Sequence, residues 1–312
     1  MESTLTDPIA AADRSMRYWT GAEPGTVRVG SDAHKRLFCR MLLDTHNPYE
    51  PAVMQWPRLE RGALQRLTSL PIWDIAVQTE GRASIRVKTF AGTIGDPLLR
   101  EALEMDAGEE ARHKLVLSRL VEAYGIALAP EPAYLPPRNA VWAWLVTGYS
   151  ECIDSFFAFG LFAHAKHSRY FPPELVETFE PVIQEEARHI LFFVNWAAWY
   201  RRNLPWWRRP FFAIKVATVF AFLIWERIGI ARSLDENGEA QDANFAVTGS
   251  AAVGADIGAV ELIELCLSEN NRRMQGYDPR LLRPTTVPRL AALVRRLLAK
   301  RGAATGRAPS HP

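Results

Sequence analysis

The amino-acid sequence predicts an all-α protein, a four-helix bundle with helical extensions at both ends, and three observations carry that expectation. Strand-like alternation is scarce, whereas long stretches rich in Ala, Leu, Glu and Arg end at Pro and Gly. The pentapeptide Glu-Glu-Ala-Arg-His stands at residues 109–113 and again at 185–189. Each copy follows a lone Glu and a turn, so the middle of the chain reads as two related helix pairs.

In order along the chain, the N-terminal segment carries one helix, Asp32 to Asp44. The first bundle helix is expected at about Leu67 to Phe90. The second starts at Asp96, where Asp followed by Pro97 makes a cap and first-turn signature, and runs to about Tyr124. The Pro-rich stretch "APEPAYLPP" then crosses the surface to a third helix, Asn139 to His167. The fourth opens at Pro172-Pro173 and continues to about Arg202. Beyond the bundle come an aromatic, apolar helix near Trp206 to Ile230 and a polar break, "SLDENGEAQDANF". Helices near Ala255 to Met274 and Val287 to Lys300 follow, with a frayed tail from Gly302. The expected organisation is an N-terminal extension over 1–66, the bundle over 67–202, and a C-terminal extension over 203–312 that packs on it.

Composition narrows the classes. With 312 residues, 48% hydrophobic and 23% charged, the chain can bury a large core and lacks the signature of disorder. A net charge of +2 argues against a nucleic-acid partner, which demands a concentrated basic face. Residues 1–17 are polar, with Glu2, Asp7 and Asp13, and hold no apolar run of a secretory signal. Cys39, Cys152 and Cys266 are widely spaced and odd in number, so no disulfide framework is expected and a cytoplasmic location fits.

The repeated pentapeptide carries the chemistry. Residues three apart on a helix share a face, so Glu110 with His113, and Glu186 with His189, can each grip one metal ion. Two neighbouring cations repel, and further carboxylates are needed to bridge them. Helices joined by a short turn set opposite one another residues equidistant from it. Glu151 and Glu186 are centred between Ser168 and Arg169, and Glu80 and Glu110 on Gly95. Asp74 is centred almost as well on that turn; Glu80 is favoured for its longer reach. The candidate ligands are Glu80, Glu110, His113, Glu151, Glu186 and His189, the pattern of a dinuclear carboxylate site in a helical bundle. Four carboxylates and two imidazoles without a thiolate suit iron, two ions per chain, with manganese as the alternative. His34, His46, His164, His167 and His311 have no Glu three residues before them and are taken as surface or core histidines.

The paired runs resemble the ferritin-like di-iron carboxylate superfamily, in particular its oxygen-activating branch of desaturases, hydroxylases and N-oxygenases. The resemblance spans roughly Leu67 to Arg202. It implies that Glu109 and Glu185 act as outer acids with Arg112 and Arg188 as their counter-charges. It also implies that Ser155, one turn after Glu151, is a hydroxyl that assists proton delivery, which makes Glu151 and Ser155 the catalytic candidates. The N-oxygenase subgroup carries an extra His one heptad before the fourth-helix ligand; here that place holds Val182. The activity implied is a di-iron oxidoreductase using dioxygen, a small or lipid-like organic substrate, and electrons from a ferredoxin or reductase. The alternative is an iron-binding or peroxide-detoxifying protein without an organic substrate, and a metal-free helical binding module is the third class. Phe156, Phe159 and Phe162 are expected near Glu151 as the wall of an apolar chamber.

The apolar run from Phe211 to Trp225 is interrupted by Lys215 and falls short of the ~20 residues of a spanning helix. Arginines and tryptophans at its start suit a peripheral seat on a membrane, and the same pattern suits a core helix or a homodimer contact. Glu226 is expected either near the site or in a salt bridge with a neighbouring arginine.

Overall fold

Polar caps and prolines cut the chain into helices much where the sequence places them. In the computed structural model, which describes residues 16–47, 55–168, 170–237 and 257–304, the protein is all-α, with no strand among the described residues. Helix α1 (Asp32–Asp44) opens on Ser31, whose hydroxyl accepts from the His34 amide. A short α2 (Arg61–Thr68) precedes the bundle helices α3 (Trp73–Ala91), α4 (Pro97–Ala123) and α5 (Ala140–His167). Asp96 caps α4 by accepting from Leu99, with Pro97 at its first position, and Asn139 caps α5 by accepting from Trp142.

Two expectations need correction. The first bundle helix begins at Trp73, not Leu67, because Pro71 cannot donate to a preceding turn; Leu67 belongs to α2. The fourth is broken into α6 (Pro173–Thr178) and α7 (Glu180–Asn203). Pro181 lacks the N–H that would continue α6, yet it suits the first turn of a new helix. After the 3₁₀ turn at Trp206–Arg208, α8 (Arg209–Asn237) runs through the first residues of the expected polar break. The rest of that break and Ala255 lie outside the described residues, as does His311. Helices α9 (Ala259–Met274) and α10 (Thr286–Ala304) are the last described elements, and α10 runs two residues past Gly302, where the sequence expects a frayed tail to begin. No described helix is long and apolar enough to cross a membrane.

The four long helices α3, α4, α5 and α7 form the bundle. Ser84 donates to the carbonyl of Ala107 while Glu80 faces His113, so α3 and α4 run antiparallel. Trp144 against Trp196 and Ser155 against Glu186 set α5 antiparallel to α7 in the same way. Aromatic rings fill one end of the bundle: Phe90 stacks on Trp144 at 5.3 Å, and Phe193 meets Trp144 edge-on and stacks on Trp196. Two glycines let α5 approach its neighbours. A Cβ on Gly148 would lie 2.1 Å from the Phe193 ring of α7, and one on Gly160 would lie 2.4 Å from Cys266 Sγ of α9.

The extensions are not appendages. Helix α1 packs on α4 and α7, α9 lies along α5, and α8 packs on α5 and α7. The N- and C-terminal segments also meet each other. The Trp19 amide donates to Gly276, and the Arg280 guanidinium donates to the carbonyls of Gly21, Glu23 and Gly25. The Pro-rich crossing lies over α3, where Tyr134 covers Gly81 and Asp74 accepts from the Ala129 amide.

Candidate metal centre

The two pentapeptides face each other across antiparallel α4 and α7. His113 Nδ1 lies 3.2 Å from Glu186 Oε1 and 3.7 Å from Glu80 Oε2; His189 Nδ1 lies 2.9 Å from Glu110 Oε1. The two imidazoles are 5.6 Å apart between ring centres. Two ligand groups emerge, each with its donor atoms within 4.8 Å of one another: Glu80, Glu110, His113 and Glu186, and beside it Asp106, Glu110 and His189. Glu110 belongs to both, as a bridging carboxylate must.

The outer residues are crossed between the runs. His113 donates from Nε2 to Glu185 at 2.8 Å, and His189 donates from Nε2 to Glu109 at 2.8 Å. Each pentapeptide therefore supplies the carboxylate that holds the other's imidazole. Arg112 pairs with Glu185, also across the helices. Arg188 donates to both oxygens of Glu109 at 2.9 Å, to Thr45 Oγ1 at 2.7 Å and to the Leu42 carbonyl at 2.6 Å. The end of α1 thus anchors Arg188, and its last turn is part of the site. Glu109 also receives His46 Nδ1 at 2.6 Å.

This arrangement fixes the tautomers. A carboxylate only accepts, so the proton of each imidazole sits on Nε2 and Nδ1 presents a lone pair to the centre. There it meets oxygens that also only accept. Asp106 Oδ1, Glu110 Oε1, His113 Nδ1, Glu151 Oε1 and His189 Nδ1 are all buried without a hydrogen-bond partner. Acceptors facing acceptors in a dry interior are stable only with a cation between them. The same carboxylates favour the charged form of each imidazole. Burial pushes both histidines down, but Glu185, Glu186 and Glu80 outweigh it at His113, and Asp106, Glu109 and Glu110 at His189, so both rise well above the usual value. Burial and the neighbouring carboxylates Glu80 and Glu186 hold Glu110 well above its usual range. Burial with Asp106 and Glu186 does the same to Glu151. Burial raises Asp106 to about 6. At Glu186 burial is overcome by His113, and at Glu109 by Arg188, so these two stay low.

Of the residues singled out in the sequence, Glu80, Glu110, His113, Glu186 and His189 are brought together, whereas Asp74 is turned to Ala129. Glu151 stands beside Asp106 and Glu186 but outside both ligand groups. Ser155 donates to Glu186 Oε2 at 3.0 Å. The three phenylalanines meet α9: Phe156 packs with Ile263 and Cys266, and the Arg273 guanidinium lies over the Phe159 and Phe162 rings at 5.3 and 5.7 Å. A cavity of 270 Å³ lined by Leu99, Trp196 and Tyr200 lies at the far end of the bundle. Leu99 is eleven residues from Glu110, about 16 Å along α4. Glu226 is 3.7 Å from Arg227.

Sequence reasoning missed Asp106 and His46. Asp106 precedes Glu110 by one turn on the same face of α4, which was legible. It was hidden because the matching position before Glu186 is Val182, so the repeat breaks there. His46 bears no spacing to either run and reaches Glu109 only because α1 packs on the bundle.

Fold and site together define a helical protein with a buried cluster of carboxylates and histidines that could hold metal. No known protein family, no curated protein and no solved structure matches the chain significantly.

Proposed function

We propose that this chain is a di-iron, oxygen-activating oxidoreductase of the hydroxylase, desaturase or N-oxygenase type, acting on a small or lipid-like organic molecule with electrons from a ferredoxin or reductase. The single observation that carries it is the set of buried, unpartnered acceptor atoms that converge from α4, α5 and α7. Glu80, Glu110, His113 and Glu186 would hold one ion, and Asp106, Glu110 and His189 the other, with Glu151 at hand to complete it. Oxygen and nitrogen donors without thiolate suit iron, and manganese next. An iron pair held there would supply reducing electrons to dioxygen. Glu109 and Glu185 keep the proton of each imidazole on Nε2, which leaves Nδ1 free to bind. Ser155 holds a proton on its hydroxyl against Glu186 Oε2 and can relay it at that oxygen.

The packing of Phe156 onto α9 favours a second reading, an iron-binding or peroxide-detoxifying protein without an organic substrate. One experiment separates the two. Chain loaded anaerobically with ferrous iron should bind about two ions. Exposed to dioxygen with a reductant and a panel of lipids, amines and amino acids, the oxygenase yields an oxidised organic product. Uptake of many irons per chain, or peroxide consumption with no organic product, selects the second reading, and no iron bound in any form refutes both.

A further inference from the structure

Helix α8 is apolar on the face it buries and on the face it shows. Phe212, Val219 and Leu223 are buried against the bundle. On the opposite side Phe211, Ile214, Phe222 and Trp225 form a stripe at helical spacing, with Phe211 67%, Ile214 63% and Trp225 73% exposed. Ahead of it the turn holds Trp206 and Trp207, 79% and 50% exposed. Between Phe211 and Trp225 the remaining exposed positions are Ala213, Ala217, Thr218, Ala221 and Ile224, with Lys215 half-buried at the edge, so no carboxylate interrupts this face before Glu226. A helix that is apolar all round is normally covered on both sides.

Charge says what covers it. No Asp or Glu occurs between Glu186 and Glu226, a stretch that holds Arg201, Arg202, Arg208, Arg209 and Lys215 besides the buried Arg188. Among the described residues none of these five cations pairs with a carboxylate of the chain. Arg208 lies over the Trp207 ring at 4.7 Å, which keeps a cation beside the tryptophan pair. The net charge of +2 for the whole chain conceals this local excess. A second copy on the same face would bring its own unneutralised cations, whereas an anionic surface neutralises them. Tryptophan and arginine beside an apolar helical face are the chemistry of the boundary between headgroups and acyl chains. The helix does not qualify to span the bilayer.

We infer that the outer face of α8, with the Trp206–Arg208 turn, docks the protein on an anionic lipid bilayer, the helix lying in the plane of the interface. Phe211, Ile214, Phe222 and Trp225 enter the acyl boundary, and Arg201, Arg202 and Arg208 meet lipid phosphates. The inference rests on no part of the metal reading, and it holds for metal-free protein.

The test uses the full chain with phosphatidylcholine vesicles, with and without phosphatidylglycerol. Co-sedimentation with the phosphatidylglycerol vesicles, a blue shift of tryptophan emission, and release by high salt are expected. Phe211→Asp and Ile214→Asp, both at exposed positions, should abolish binding while the far-ultraviolet circular dichroism and metal content stay unchanged. Arg208→Gln should weaken partitioning about fivefold, the effect of one basic residue at an anionic surface. The inference is overturned if the wild type leaves anionic vesicles unbound, or if the Asp variants bind as the wild type does. It is equally overturned if sedimentation equilibrium shows a dimer that Ile214→Asp dissociates, which assigns the face to a second copy.

Discussion

Glu109→Gln tests the crossed brace. Glu109 is fully buried and accepts from Arg188 through both oxygens, from His189 and from His46. The substitution keeps shape but removes the charge, and it points an amide donor at one of the donors now served. Breaking a buried ion pair by removing one partner costs about 3–5 kcal/mol, so metal-free protein should lose stability on that scale in denaturant unfolding. Loss of the carboxylate behind His189 should weaken metal binding ~10–100-fold, about 1.4–2.7 kcal/mol. The diagnostic readout is which imidazole responds. In protein labelled at histidine with ¹⁵N and loaded with metal, the Nε2–H signal of His189 should shift or exchange away while that of His113 persists, and Glu185→Gln should give the reverse. Should Glu109→Gln disturb His113, the histidine of its own run, and spare His189, the crossed assignment is wrong.

Asp106→Ala should lower bound iron from about two per chain toward one, because it strips the smaller ligand group and leaves Glu80, Glu110, His113 and Glu186 intact; unchanged stoichiometry by metal analysis removes Asp106 from the ligand set. Ser155→Ala should keep metal content but slow any turnover that consumes protons, read as a larger solvent isotope effect beside a lower kcat, and an unaltered kcat takes the hydroxyl out of proton delivery. Gly148→Ala should destabilise the fold by roughly 1–3 kcal/mol because its Cβ would strike the Phe193 ring, and thermal unfolding at the wild-type midpoint would contradict that packing. Hydrogen bonds from Arg280, with help from the Arg280 and Gly21 amides, hold Asp278 down from 3.8 to about 2. A depressed carboxyl stabilises above its unfolded value and loses that contribution as pH falls through the folded one, so exchange protection of the Gly21 amide should fade between about pH 4 and 2. Protection that is flat across that window shows that the Asp278 contact does not hold the N-terminal segment.

The sequence alone determined the helices and the inward face of the bundle, because both are local. Caps at Ser31, Asp96 and Asn139 act within one turn, and the Glu-x-x-His spacing sets two side chains on one face wherever the helix packs. Equidistance from a turn carried that reasoning one step further, from Glu110 to Glu80, since an antiparallel hairpin is itself nearly local. Proline breaks are legible in principle, yet the expected helices run across Pro71 and Pro181, and the chain ends or restarts a helix at each. Only the tertiary structure decided what lies across helices far apart in sequence. It gave His113 to Glu185 rather than to Glu109 of its own run, brought Thr45 and His46, just past the end of α1, to Arg188 and Glu109, and turned Phe156 to α9. Periodicity fixes the direction in which a side chain leaves its helix; which atom it meets depends on the separation, tilt and register of two packed helices, and those are set by the summed contacts of the whole core.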